Sequence, residues 1–186
     1  MQGIQFFDEQ IILWIQEYVV NPIWTKMMVF LSTLGNHGMI FIALGIVLLL
    51  LGIRYKNLLY TGIRLFLCLG ATALVCNVIL KPWVARIRPY DVLGFPIAVP
   101  PLADYSFPSG HTSAAFAAAT AIYAYHKKWG IAAYVFAVCM GISRLYLGVH
   151  FPSDVLMGAV LGLVMAIATL WVCKKCHFFE NNVVQS

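Results

Sequence analysis

Residues 155–173, VLMGAVLGLVMAIATLWVC, form an uninterrupted apolar run. A bilayer's hydrocarbon core calls for about 20 such residues in a helix, so this run alone reads as a membrane span from hydropathy. Immediately before it stand Ser143-Arg-Leu-Tyr-Leu-Gly-Val-His-Phe-Pro-Ser-Asp154. Arginine, histidine and aspartate beside apolar runs are costly to bury and by default mark function.

Composition sets the solvent in which the rest of the chain folds. Of its 186 residues, 62% are apolar and 10% charged, against roughly 45–50% and about 25% in soluble proteins. The net charge of +5 comes from 12 Lys and Arg in small clusters between apolar runs, a pattern of membrane topology rather than of nucleic-acid binding. Asp8 and Glu9 take the place of a basic flank, so the N-terminus reads as retained in the mature chain rather than as a signal peptide.

The expected fold is all-α: an integral membrane bundle of about five transmembrane helices plus N-terminal interfacial helices, forming one domain over residues 1–186. Residues 4–20 and 22–34 have helical patterning with interspersed polar residues and a break at Asn21-Pro22, and are expected as amphipathic helices within residues 1–36. The spans are expected at about 38–53, 58–80, 109–126, 129–149 and 153–173, with a catalytic core over 58–173. Gly158 and Gly162 have the small-xxx-small spacing that lets helices approach closely. Cys68, Cys76, Cys139 and Cys173 fall in spans and read as small core residues. Cys173-Lys-Lys-Cys176-His177 matches a haem-attachment pattern, but the topology puts it in the reducing cytoplasm, so a thiol pair at a helix end is expected.

Orientation follows from the basic residues. Arg54, Lys56 and Arg64, then Lys127 and Lys128, then Lys174 and Lys175 alternate onto one side, which the positive-inside rule makes cytoplasmic, C-terminus included. Lys81, Ser109, His150 and Asp154 then all reach the outer face. Three stretches far apart in sequence thus come to one membrane level.

There Lys81, Arg88 and Arg144 have no obvious carboxylate partners, since Asp91, Asp104 and Asp154 are the acids between residues 81 and 154. Excess cations suggest an anion, and the arginine fork suits phosphate. Ser109-Gly110 at a helix start adds backbone donors. If the fourth helix continued to His150, Arg144 would lie about 9 Å deeper at 1.5 Å per residue. A lipid with its phosphate at headgroup level would then enter laterally. One imidazole can attack phosphorus and a second can protonate the leaving oxygen, with Asp154, four residues past His150, expected to hold that ring; the residues alone leave open which histidine attacks. His37, His126 and His177 read as packed or interfacial groups. Arg86 is left outside the catalytic set, as a contact for phosphate or headgroups. With many cations and few free carboxylates, a metal site is disfavoured.

Lys81 with Arg88-Pro89, Pro108-Ser109-Gly110-His111, and Ser143-Arg144 with His150 and Asp154 resemble the three signature motifs of the type 2 phosphatidic acid phosphatase superfamily. The resemblance implies hydrolysis of a lipid phosphate through a phosphohistidine, without metal or cofactor. It makes His150 the nucleophile, Asp154 its orienting partner and His111 the general acid. Lys81, Arg88, Ser109, Gly110 and Arg144 become the phosphate cradle. Members of the membrane branch often have six spans, and the expectation of five here leaves the first without a counterpart. Phosphatidylglycerol phosphate, phosphatidic acid and undecaprenyl diphosphate are the candidate substrates; members dedicated to the last often have Asp where this chain has Gly110, which slightly favours a glycerophospholipid or a broad specificity. The loop from Tyr90 to Phe107 is expected to cover the site. A vanadate-dependent haloperoxidase is similar in the same motifs but soluble, and a lipid-phosphate transporter would leave His150 and Asp154 unexplained. A multi-pass cell-membrane protein with an outward-facing site is the expectation.

Overall fold

The computed structural model describes residues 2–176, and among them no strand occurs. Helix α1 (Gln2–Trp14) widens into a π-helical stretch at Ile15–Val19. Helix α2 (Pro22–Leu34) begins at the expected break, where Asn21 Oδ1 accepts the Trp24 N–H at 3.1 Å. Helices α3 (Met39–Gly52) and α4 (Lys56–Ala73) follow. A π-helical stretch, Leu74–Leu80, then leads into α5 (Lys81–Val84) and α6 (Pro89–Leu93). Helices α7 (Gly110–Tyr123), α8 (Lys127–Tyr146) and α9 (Pro152–Lys175) complete the bundle. His177 lies outside the described residues, as does the side chain of His37.

The runs Lys56–Leu93, Lys127–Tyr146 and Pro152–Lys175 are long and apolar enough to cross a membrane, and α2 with α3 forms a bent pair that would make a fourth span. Helix α7, with 14 residues, reaches about 21 Å at 1.5 Å per residue. It occupies the centre, packed against α4, α8 and α9. Its buried face is nearly all alanine, threonine and serine, and small side chains let the neighbours close in where no hydrophobic effect drives association. A Cβ on Gly158 would lie 2.7 Å from the Ser109 carbonyl oxygen, and one on Gly162 2.3 Å from that of Ser113. The small-xxx-small pair is thus the contact line between α7 and α9.

Antiparallel alternation brings the end of the α4–α5 run, the start of α7, the end of α8 and the start of α9 to one end of the bundle. The Ser109 N–H donates to the Asp154 carbonyl at 3.0 Å, and the Ser106 N–H to the Arg86 carbonyl at 2.8 Å. Lys56, Lys127 and Lys175 lie toward the opposite end. There His126 packs as expected, its Nε2 3.2 Å from Thr61 Oγ1.

Two expectations need correction. Helix α8 stops at Tyr146 rather than 149, and His150 lies in the turn beyond it, so helical rise does not measure the depth of Arg144 below His150. Cys68, Cys76 and Cys173 are buried, but Cys139 is exposed on the outer side of α8 and is not a core residue; all the described cysteines are free thiols.

Gly162→Ala is expected to cost about 1–3 kcal/mol through overpacking, lowering the Tm of the detergent-solubilised protein. Gly70→Ala, with nothing within 4 Å of its added Cβ, should leave Tm unchanged.

Candidate active site

A cavity of about 800 Å³ opens at the end where these segments converge. Lys81, Arg88, Gly110, His111, Arg144 and His150 line it together, with Asp104 from the 94–109 loop. Six of the eight residues singled out from sequence therefore share one wall. The other two stand behind it. Ser109 is fully buried, its Oγ 2.9 Å from Thr112 Oγ1, and it caps α7. Asp154 is 0% exposed and lies behind His150, so at this end of the bundle both are buried among the converging segments.

Lys81 emerges where the π-helical stretch passes into α5, and such wide turns are frequent at functional sites because they re-aim side chains. Arg88 immediately precedes Pro89, whose fixed φ starts α6. Its Nη1 donates to the Val149 carbonyl at 2.6 Å and lies 3.4 Å from His150 Nε2. Arg144, 2% exposed in the last turn of α8, donates to Ser32 of α2, and its Nε has no partner. A buried guanidinium with unused donors is a site prepared for an anion.

Lys81 and Arg88 are not unpartnered, contrary to the sequence expectation. Asp104 accepts from Lys81 Nζ and, at 2.6 Å, from Arg88 Nη2, while its backbone carbonyl takes Arg88 Nε–H at 2.9 Å. Burial raises the Asp104 carboxyl, but Lys81 and Arg88 outweigh it and hold the group at about 2. Its side chain is 52% exposed, so it is ionised yet able to move out. Three cations against one carboxylate leave the wall positive.

His150 is 1% exposed. Burial pushes its imidazole down to about 3, against the opposing pull of Asp154, so the ring is neutral at physiological pH. Its Nδ1 lies 3.4 Å from Ser106 Oγ and 3.8 Å from Asp154 Oδ2. Ser106 Oγ–H donates to Asp154 Oδ2 at 2.5 Å, which leaves Ser106 to accept from Nδ1–H. The aspartate thus acts on the ring largely through Ser106, and Nε2 carries the lone pair toward the cavity. His111 is oriented by Asn36, whose Oδ1 lies 3.1 Å from Nε2.

The model of the PAP2 superfamily matches residues 61–178. The chain belongs to that superfamily. Phosphatidylglycerophosphatase B of Bacillus subtilis (strain 168) is 36% identical over 152 residues, 74% of this chain and 70% of its own length. Undecaprenyl-diphosphatase BcrC of the same organism is 30% identical over 165 residues, covering 89% and 83%. The crystal structure of a transmembrane PAP2-type phosphatidylglycerolphosphate phosphatase from B. subtilis superposes with a TM-score of 0.81 at 30% identity, covering 97% of this chain and 90% of that one.

Within this PAP2 site, sequence reading missed Ser106, Asp104, Asn36, Ser32 and the partners of Arg86. Asp104 was visible as one of three acids in the region, and Ser106 lies just ahead of the second motif. Asn36 and Ser32 carried no signal, because only packing of the α2–α3 segment brings them to the site. Arg86 does not line the cavity. It pairs with Asp8 at 2.7 Å and Asp154 at 2.6 Å.

Because Asp104 occupies two cations that a phosphate would use, Asp104→Asn should lower the inhibition constant of inorganic phosphate by about tenfold, a typical scale for one charge-assisted contact. Initial rates at several phosphate concentrations measure it; an unchanged constant would mean that Asp104 stays in place during binding.

Proposed function

We propose that this PAP2 protein hydrolyses a phosphate monoester or diphosphate on a lipid, through a phosphohistidine on His150, with its site on the outer face of the membrane. By family and by site it is a membrane lipid phosphatase. The observation that carries the mechanism is the neutral His150 with Nε2 facing a cationic cavity and Arg88 3.4 Å away.

Phosphate oxygens fit against Lys81, Arg88, Arg144 and the Gly110 amide at the start of α7. His150 Nε2 forms the N–P bond as the P–O bond to the lipid breaks, and His111 gives the leaving oxygen its proton. Water then attacks phosphorus with His111 as base, releasing phosphate and restoring the imidazole. Lys81, Arg88 and Arg144 around the cavity supply the charge stabilisation.

The rest of the cavity supports a lipid substrate. Away from the cations its wall is Ile42 of α3, Phe66, Leu69, Gly70 and Ala73 of α4, and Ala114 of α7. An apolar trough continuous with a phosphate site suits a headgroup phosphate whose tail stays in the bilayer. The basic residues at the opposite end of the bundle support an outward-facing site and a cytoplasmic C-terminus. Phosphatidylglycerol phosphate, phosphatidic acid and undecaprenyl diphosphate all fit this chemistry. At Gly110 a Cβ would stand 3.5 Å from Asn77 Oδ1 and 3.8 Å from Lys81 Nζ, ordinary contact distances, so an aspartate at this position would set a second carboxylate beside Lys81, which glycine does not.

Purified protein in detergent should release phosphate from phosphatidylglycerol phosphate in the presence of chelator, and His150→Ala should abolish both turnover and an acid-labile phosphoenzyme. A need for added divalent metal would refute the mechanism. His111→Ala should slow a substrate with a poor alkoxide leaving group far more than one with a good phenolate, because only the first needs the proton; equal losses would remove His111 as the acid.

Gly70→Leu should raise KM for the long-chain lipid and leave that of a short-chain soluble phosphate ester unchanged. Equal KM changes for the two substrates would exclude the trough as the path of the tail.

A further inference from the structure

Arg86 lies between Lys81 and Arg88 in sequence but outside the cavity wall they form. Its guanidinium stacks on the Phe151 ring at 4.1 Å. Nη1 donates to Asp154 Oδ1 at 2.6 Å and to Ser153 Oγ at 2.7 Å. Nη2 donates to Asp8 Oδ2 at 2.7 Å and to Gln5 Oε1 at 2.6 Å. Asp8 in turn accepts the Ser153 N–H at 3.0 Å and the Ser153 hydroxyl. Asp8 is 4% exposed, on the one face of α1 that meets the bundle; Ile4, Phe7, Ile11 and Trp14 on its other faces are exposed.

The charges explain why two carboxylates share one arginine. Arg86 with Asp154 alone would be a neutral pair and would do little for a cation forming on His150. With Asp8 the group carries one net negative charge. During attack His150 forms the Nε2–P bond while retaining its Nδ1 proton, so the ring becomes cationic without a proton leaving it. A buried cation needs a fixed counter-charge, and fixed charge aimed where charge develops lowers the barrier without reorganisation.

We propose that Arg86 and Asp8 are positioning residues for phosphoryl transfer: Arg86 holds Asp154 by Oδ1 so that Oδ2 serves Ser106 and His150, and Asp8 supplies the negative charge that balances the phosphorylated imidazole. The N-terminal helix is thereby part of the catalytic unit. This rests on the reading of His150 as nucleophile.

The test is steady-state kinetics and Tm of the full-length protein in detergent, with phosphatidylglycerol phosphate as substrate, for Asp8→Asn, Arg86→Gln, the double variant and Arg86→Lys. Each single neutral variant is expected to lower kcat by about tenfold or more, the scale of 1.4 kcal/mol on the barrier, with KM within about twofold. The double variant restores the net charge of the group and should be no slower than Arg86→Gln alone, as expected of two groups in one network; a fall in kcat at unchanged Tm separates this from lost packing. Arg86→Lys should recover part of kcat. Full kcat in Asp8→Asn, a loss confined to KM, multiplying losses in the double variant, or kcat falling only in step with Tm would each overturn the proposal. His150→Ala in the same assay separates the two readings: if it is active the phosphohistidine reading fails, and if it is dead while Asp8→Asn is fully active only this inference fails.

Discussion

The Asp154 carboxylate is the group on which the site depends. It is fully buried, and a buried ionised carboxylate is tolerable only with donors around it. Its donors come from separate segments: Arg86 beyond α5, Ser106 in the 94–109 loop, and the Phe151 N–H that opens α9 at 2.8 Å. One desolvated charge thereby joins the first motif, the loop before the second and the turn of the third, and through Arg86 it reaches α1. Its place in the first turn of α9 adds the favourable end of the helix dipole.

The same reasoning accounts for Asp104. Lys81 and Arg88 are each nearly buried, and in an apolar bundle they need a counter-charge even before an anion arrives. A carboxylate on a half-exposed loop meets that need and can still withdraw. Arg144, on a helix, has no such carboxylate partner among the described residues and keeps its Nε unused. The cradle is thus partly filled by the protein itself and partly open, a division that a phosphate approaching from the exposed side can exploit.

The motifs were legible because ionisable residues are rare in an apolar chain, so each one carries information. Lys81, Ser109, His150 and Asp154 could be brought to one level by alternating spans alone. The residues that orient them could not. Ser106, Asn36 and Ser32 are ordinary polar residues whose types say nothing until packing supplies a partner. Arg86 read as a contact for phosphate or headgroups because nothing in its local sequence points to Asp8, which lies 78 positions away. The end of α8 was misjudged for a related reason: apolar residues continue through Val149, and hydropathy does not register where hydrogen bonding turns the chain.

By itself, then, the sequence determined the solvent and the helical class, which follow from residue type and period, and its three motifs carried the resemblance to the family and named the candidate site residues. Tertiary structure alone decided that Ser109 faces inward, that Asp104 fills part of the cradle, and that Asp154 reaches His150 largely through Ser106. It also decided that α1 reaches the catalytic turn. Each of these depends on a distance of a few ångströms between segments far apart in the chain, and such distances are set by how small-residue helices close on one another, not by any local pattern.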